Sequence, residues 1–249
     1  MTPGPSDEPE KLEREPFWGY ADLLVMIGLA VVSSLAGAGV VIVVYKLLHI
    51  HTLKALELIP QQTLIYFLVF GSMAVLFRVE YDRPFWFSLG WNPVGQPGGI
   101  LLVFTGAAAA IGVNLLGWLI RVPVTRNPLV DILLESRISM VAMAIFGILI
   151  APAAEELLFR GFLQPLLART LGTAFGILGA ALLFGLLHYP EYGNSWRHAV
   201  LIMVAGVLFG WVRYSWRSTK ASAIMHAGYN ALIFLAAAAA PMKDLPKAG

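Results

Sequence analysis

The 249-residue chain contains no cysteine. It can therefore hold no disulfide, no thiolate nucleophile and no Cys-ligated zinc, which removes several enzyme classes at once. Charge is scarce as well: 13% of the residues are Asp, Glu, Lys or Arg, against roughly 25% in an ordinary soluble domain. So few charges cannot cover a globular surface in water, and a soluble enzyme is excluded. Also missing are a Gly-x-Ser-x-Gly or other evident nucleophile-serine motif, a His-Glu-x-x-His zinc motif and an aspartate pair in facing apolar segments. Asp7, Asp22, Asp82, Asp131 and Asp244 all lie at the ends of apolar runs or outside them. The net charge is only +2 and the basic residues are scattered, so no nucleic-acid partner is implied.

What the chain does have is apolar length, with 58% hydrophobic residues and a mean hydropathy of +0.74. A helix needs about 20 apolar residues to cross the hydrocarbon core. Runs of roughly that length occur near 20–48, 60–78, 98–120, 138–154 (continuing helically to about 169), 172–189, 196–216 and 220–240. The fold class expected is all-α, a polytopic transmembrane bundle of about seven membrane-spanning helices. Pro60, the Pro97-Gly98-Gly99 turn, Pro123, Pro128, Gly172 and the 190–194 stretch punctuate the runs. The organisation expected is an acidic, Pro-rich tail over 1–18, one transmembrane domain over 19–241 and a short tail over 242–249. The acidic start and the long first run predict an uncleaved first span rather than a signal peptide.

Two connecting segments carry extra content. The aromatic stretch 83–91, Arg-Pro-Phe-Trp-Phe-Ser-Leu-Gly-Trp, suits a segment lying at headgroup depth, and a plain aromatic belt is the simpler reading of it. Residues 127–137 read as a short amphipathic helix along the surface. Charge bias does not orient the bundle. Lys11, Arg14, Arg78, Arg83, Arg160, Arg169, Arg213, Arg217 and Lys220 fall on one face, against eight basic residues on the other. The dense Arg213, Arg217, Lys220 group favours its face as cytosolic.

Ionisable groups inside a bilayer are costly, so those present are candidates for function. Glu155 and Glu156 lie in an otherwise apolar helix, Ala-Pro-Ala-Ala-Glu-Glu-Leu-Leu-Phe-Arg over 151–160. Glu156 and Arg160 are four apart and share a face, where an ion pair offsets part of their burial cost. Glu155 points about 100° away and is free to meet something else; the alternative is one structural ion network with Arg160. A second site pairs Phe184 with His188, and a third pairs His226 with Asn230, each four apart on an apolar helix. Taken singly, each reads as readily as helix-to-helix glue. Three such sites on successive apolar helices are poorly explained by packing alone.

The ordered set Glu-Glu-x-x-x-Arg, Phe-x-x-x-His and His-x-x-x-Asn resembles the CAAX protease and bacteriocin-processing family of intramembrane proteases, also called the Abi or type II CAAX prenyl endopeptidase family. The positions are Glu155, Glu156, Arg160, Phe184, His188, His226 and Asn230, and the resemblance covers about 138–240. It implies an intramembrane endopeptidase in which Glu155 activates water and His188 holds it. His226 and Asn230 would stabilise the oxyanion, and Glu156, Arg160 and Phe184 would be structural or substrate-orienting. A carboxylate partly withdrawn from water is the stronger base for this task.

The resemblance also implies a membrane-associated peptide or protein substrate, either a prenylated C-terminus or a leader peptide, and a site facing the cytosol, in a bacterial cytoplasmic membrane. No cofactor is assigned. Zinc on Glu155, His188 and His226 is the live variant. The competing readings are a scaffold or immunity-type relative without catalysis, and a small-ligand transporter using the same polar cluster. One check fits poorly. From the rise per residue, Glu155 and His226 fall about 5–10 Å from the face shared by their following turns, but His188 about 18–24 Å deep.

Overall fold

The computed structural model describes residues 16–123, 132 and 135–239. The surface helix expected over 127–137 lies largely outside them, as do most of the two tails. Among the described residues the chain is helical, without a strand. α1 is Tyr20–Leu47, α2 is Lys54–Tyr81, α3 is the short Phe85–Ser88 and α4 is Gln96–Leu119. α5 is the continuous helix Arg137–Leu171, α6 is Thr173–Leu187, α7 is Trp196–Trp216 and α8 is Thr219–Ala239. A single 3-10 turn, Pro190–Tyr192, links α6 to α7.

Six of these helices (α1, α2, α4, α5, α7 and α8) are long and apolar enough to cross a bilayer, and the protein is an integral, multi-pass membrane protein. The seventh run forms α6, a 15-residue helix that reaches only about 22 Å. Two boundaries differ from expectation. Pro60 does not open α2 but sits inside it, where the Leu56 carbonyl that its missing N–H leaves free accepts instead from the Tyr45 hydroxyl at 2.7 Å. The fourth run extends into a 35-residue helix, about 52 Å long, well beyond the ~30 Å hydrocarbon core.

α5 is not uniform. Phe146–Ile150 and Leu157–Leu163 are π-helical turns that bracket the α-helical turn Ala151–Glu156. Widened turns of this kind often mark functional positions and disturb the i→i−4 ladder. A carbonyl in each accepts a hydrogen bond from a neighbouring segment: Asn230 Nδ2 donates to the Gly147 oxygen at 2.8 Å, and Trp18 Nε1 to the Phe162 oxygen at 3.2 Å. Trp18 is fully buried, stacked between Phe77 and Phe162 with centroids 5.3 and 5.4 Å away. It fastens the segment before α1 onto the middle of α5.

α4 and α8 approach through glycine. A Cβ on Gly106 would sit 2.0 Å from the Met225 carbonyl oxygen, and one on Gly228 2.3 Å from that of Val103. Small residues let two backbones close in this way where hydrophobicity cannot drive association between helices. The consequence is positional: α8 is held with its polar stripe against α5.

Candidate active site

Two consecutive glutamates on α5 face different surroundings because successive helix positions diverge by about 100°. Glu156 is fully buried, and its carboxylate accepts from three donors. Arg160 Nη1 donates to Oε1 at 3.0 Å, Ser222 Oγ to Oε2 at 2.5 Å, and His226 Nδ1 to Oε1 at 3.0 Å. Arg160, equally buried, sends Nη2 to the Gly206 carbonyl at 2.8 Å. Its guanidinium lies 4.6, 5.6 and 5.8 Å from the ring centroids of Phe184, Phe209 and Phe159. A buried ion pair survives only when such extra hydrogen bonds and ring faces replace water.

Glu155 is different. Its side chain keeps 23% of its exposure, and Oε2 lies 3.8 Å from His226 Nε2. The imidazole of His226 thus bridges the two carboxylates, with one nitrogen committed to Glu156 and the other turned towards Glu155. Phe209 stacks on that ring at 4.4 Å, which fixes its plane. Because a carboxylate can only accept, the His226 nitrogen facing Glu156 carries the proton.

His188 caps the C-terminus of α6, where its Nδ1 lies 2.8 Å from the Phe184 carbonyl oxygen. A carbonyl also can only accept, so Nδ1 is the protonated nitrogen and Nε2 presents a lone pair. The Phe184 ring sits edge-on to both imidazoles, 4.6 Å from His188 and 5.9 Å from His226. One aromatic ring separates the two histidines, so the depth gap expected from counting residues does not arise.

The motif residues therefore gather in part. Glu155, Glu156, Arg160, Phe184, His188 and His226 form one contiguous cluster. Asn230 does not join it by a hydrogen bond, its amide donating instead to Gly147 at 2.8 Å, one helical turn along the same face of α8 from His226. Among the described residues no group of three His, Asp or Glu side chains gathers as a metal holder.

Ser222 and Phe209 were not singled out from the sequence. For Ser222 the signal was present, since it stands four residues before His226 and so on the same face of α8. Glu191, in the 3-10 turn after His188, adds a third carboxylate within electrostatic reach of Glu155 and His188. Burial pushes its carboxyl above the usual range, and His188 pulls it part of the way back.

Residues 137–232 match the family model described as type II CAAX prenyl endopeptidase Rce1-like. All three motifs, from Glu155 to Asn230, fall inside that segment, so the match and the motif resemblance point to the same family. No curated protein and no solved structure matches the chain.

Proposed function

We propose that the protein is an intramembrane endopeptidase in which Glu155 is the general base. The observation that carries this reading is the division of labour between neighbours: Glu156 has spent its acceptors on Arg160, Ser222 and His226, while Glu155 stays partly exposed beside a histidine nitrogen. A water held between Glu155 and the free lone pair of His188 Nε2 has both of its hydrogens engaged by acceptors, which raises the nucleophilicity of its oxygen. Attack on the scissile carbonyl forms a tetrahedral oxyanion as Glu155 takes the proton. His226 enters the cycle having taken one proton from solvent on Nε2, which it donates as a hydrogen bond to that oxyanion and keeps throughout, with Glu156 matching the ring's charge. Asn230 has a second N–H beyond the one given to Gly147 and serves as the other donor. Glu155 then returns its proton to the leaving amine.

The substrate in this reading is a membrane-associated peptide, either a prenylated C-terminus or a leader peptide, reached from the cytosol. Incubating purified protein with a prenylated CAAX peptide and with unprenylated leader peptides, wild type against Glu155→Ala, tests both parts. Cleavage of one class that disappears in the variant supports the reading. Cleavage by Glu155→Ala at the wild-type rate defeats it. Asn230→Ala should leave residual activity, about 10²–10³-fold below wild type, as for loss of one oxyanion donor.

A further inference from the structure

The loop after α3 packs over the α7–α8 turn and covers a cation that pairs with no carboxylate among the described residues. Arg213, in the last turn of α7, lies so close under this loop that a Cβ on Gly90, whose φ is +66°, would come 2.4 Å from Nη2. Arg213 Nε is buried without a hydrogen-bond partner. The neighbouring acceptors are already occupied. The Gly90 carbonyl accepts the N–H groups of Thr219 and Asn92, both at 2.8 Å. The Leu89 oxygen accepts from Thr219 Oγ1 at 2.6 Å, the Asn92 oxygen from Ser218 Oγ at 2.8 Å, and the Arg217 oxygen from Asn92 Nδ2 at 2.6 Å. Among the described residues no Asp or Glu forms an ion pair with Arg213.

A guanidinium withdrawn from water and left unpaired is costly, and its fork of donors fits a phosphate or carboxylate better than any single acceptor. The surroundings choose between these anions. Arg213 stands in the last turn of a membrane-length helix; Trp216, 39% exposed, ends that helix, and Trp86, 57% exposed, lies on α3 just before the covering loop. Tryptophans at the end of a span sit at headgroup depth, where the abundant anion is a lipid phosphodiester. Arg217 and Lys220 add positive charge on the same turn. We infer that Arg213 binds the phosphate of an anionic phospholipid headgroup, with Arg217 and Lys220 attracting it. This inference does not depend on the peptidase reading.

The test titrates full-length protein in neutral detergent with short-chain phosphatidylglycerol, the phosphatidylcholine of the same chain length, or inorganic phosphate, following the unfolding temperature. Arg213→Gln is compared with wild type and with Arg197→Gln at the opposite end of α7. Phosphatidylglycerol should stabilise wild type and Arg197→Gln alike, while Arg213→Gln should need about ten-fold more lipid or beyond, the loss expected for a charge-assisted pair. Equal half-saturation in Arg213→Gln overturns the proposal. So does inorganic phosphate acting as strongly as the lipid through Arg213. Should Arg213→Gln fail to fold, amide exchange on wild type decides: phosphatidylglycerol must protect residues 88–92 and 217–221 selectively, and uniform or absent protection overturns the site.

Discussion

α1 and the long helices of the α5–α8 unit are all apolar enough to cross a bilayer, but α1 is the more apolar, with a mean hydropathy of 2.5 against 2.0, 1.6 and 1.4 for α5, α7 and α8. Only 11% of the most apolar window of α1 is buried inside the protein, against 33% in α7 and in α8. α1 presents Leu24, Val32, Leu35 and Leu47 outwards, each more than 60% exposed. Its polar ties to α2 sit at the two ends: the Tyr81 hydroxyl donates to Asp22, which also accepts the Gly19 N–H, and the Tyr45 hydroxyl donates to the Leu56 carbonyl at 2.7 Å. The α5–α8 unit instead buries an arginine, a glutamate, a serine and a histidine in mutual contact. Hydrophobicity tells that a helix enters the bilayer, whereas only the placement of its few polar groups tells what it meets there.

That contrast is broken most severely by removing one partner from the buried network. Arg160→Met leaves Glu156 buried beside fewer donors and should cost about 3–5 kcal/mol of stability, read from detergent-denaturation curves. Arg160→Met combined with Glu156→Leu should recover most of that loss, and failure to recover would show that the pair does not act as a unit. A smaller effect is expected from backbone approach. Gly106→Ala forces a Cβ against Met225 and should cost about 1–3 kcal/mol, while Gly28→Ala in α1, with nothing within 4 Å, should be neutral or gain up to about 1 kcal/mol.

The smallest effect concerns Glu191. Its folded-state carboxyl holds a proton more tightly than the ordinary value of 4.5 allows, because of burial. Its stabilising contribution is then full below pH 4.5 and is lost as pH rises through the folded-state value. Glu191→Gln should flatten the fall in unfolding temperature across that window and leave the acid side unchanged.

The helices were legible in the sequence because period and length alone determine membrane runs, and the three motifs were legible because polar residues are conspicuous among Leu, Ala and Phe. The opposed surroundings of Glu155 and Glu156 follow from helix geometry, and the pairing of Glu156 with Arg160 from their four-residue spacing. Other features were not legible. π-helical turns leave no mark in composition, and the burial of Trp18 depends on a contact 144 residues away. The aromatic stretch 83–91 reads as belt, yet its Leu89 is fully buried beneath the α7–α8 turn while Trp86 and Phe87 face outwards. Counting rise per residue set His188 apart from His226, whereas a single ring, Phe184, touches both imidazoles. The orientation of the bundle stayed open, since nine basic residues on one face against eight on the other is no bias.

The central claim is that adjacent carboxylates of one helix have separate duties, one chemical and one architectural. Measuring turnover and unfolding temperature together for Glu155→Gln and Glu156→Gln tests it most directly. Glu155→Gln should keep the wild-type unfolding temperature and lose about 10²–10⁴-fold in kcat/KM, whereas Glu156→Gln should lower the unfolding temperature. A Glu155→Gln protein that hydrolyses its peptide at the wild-type rate would contradict the account.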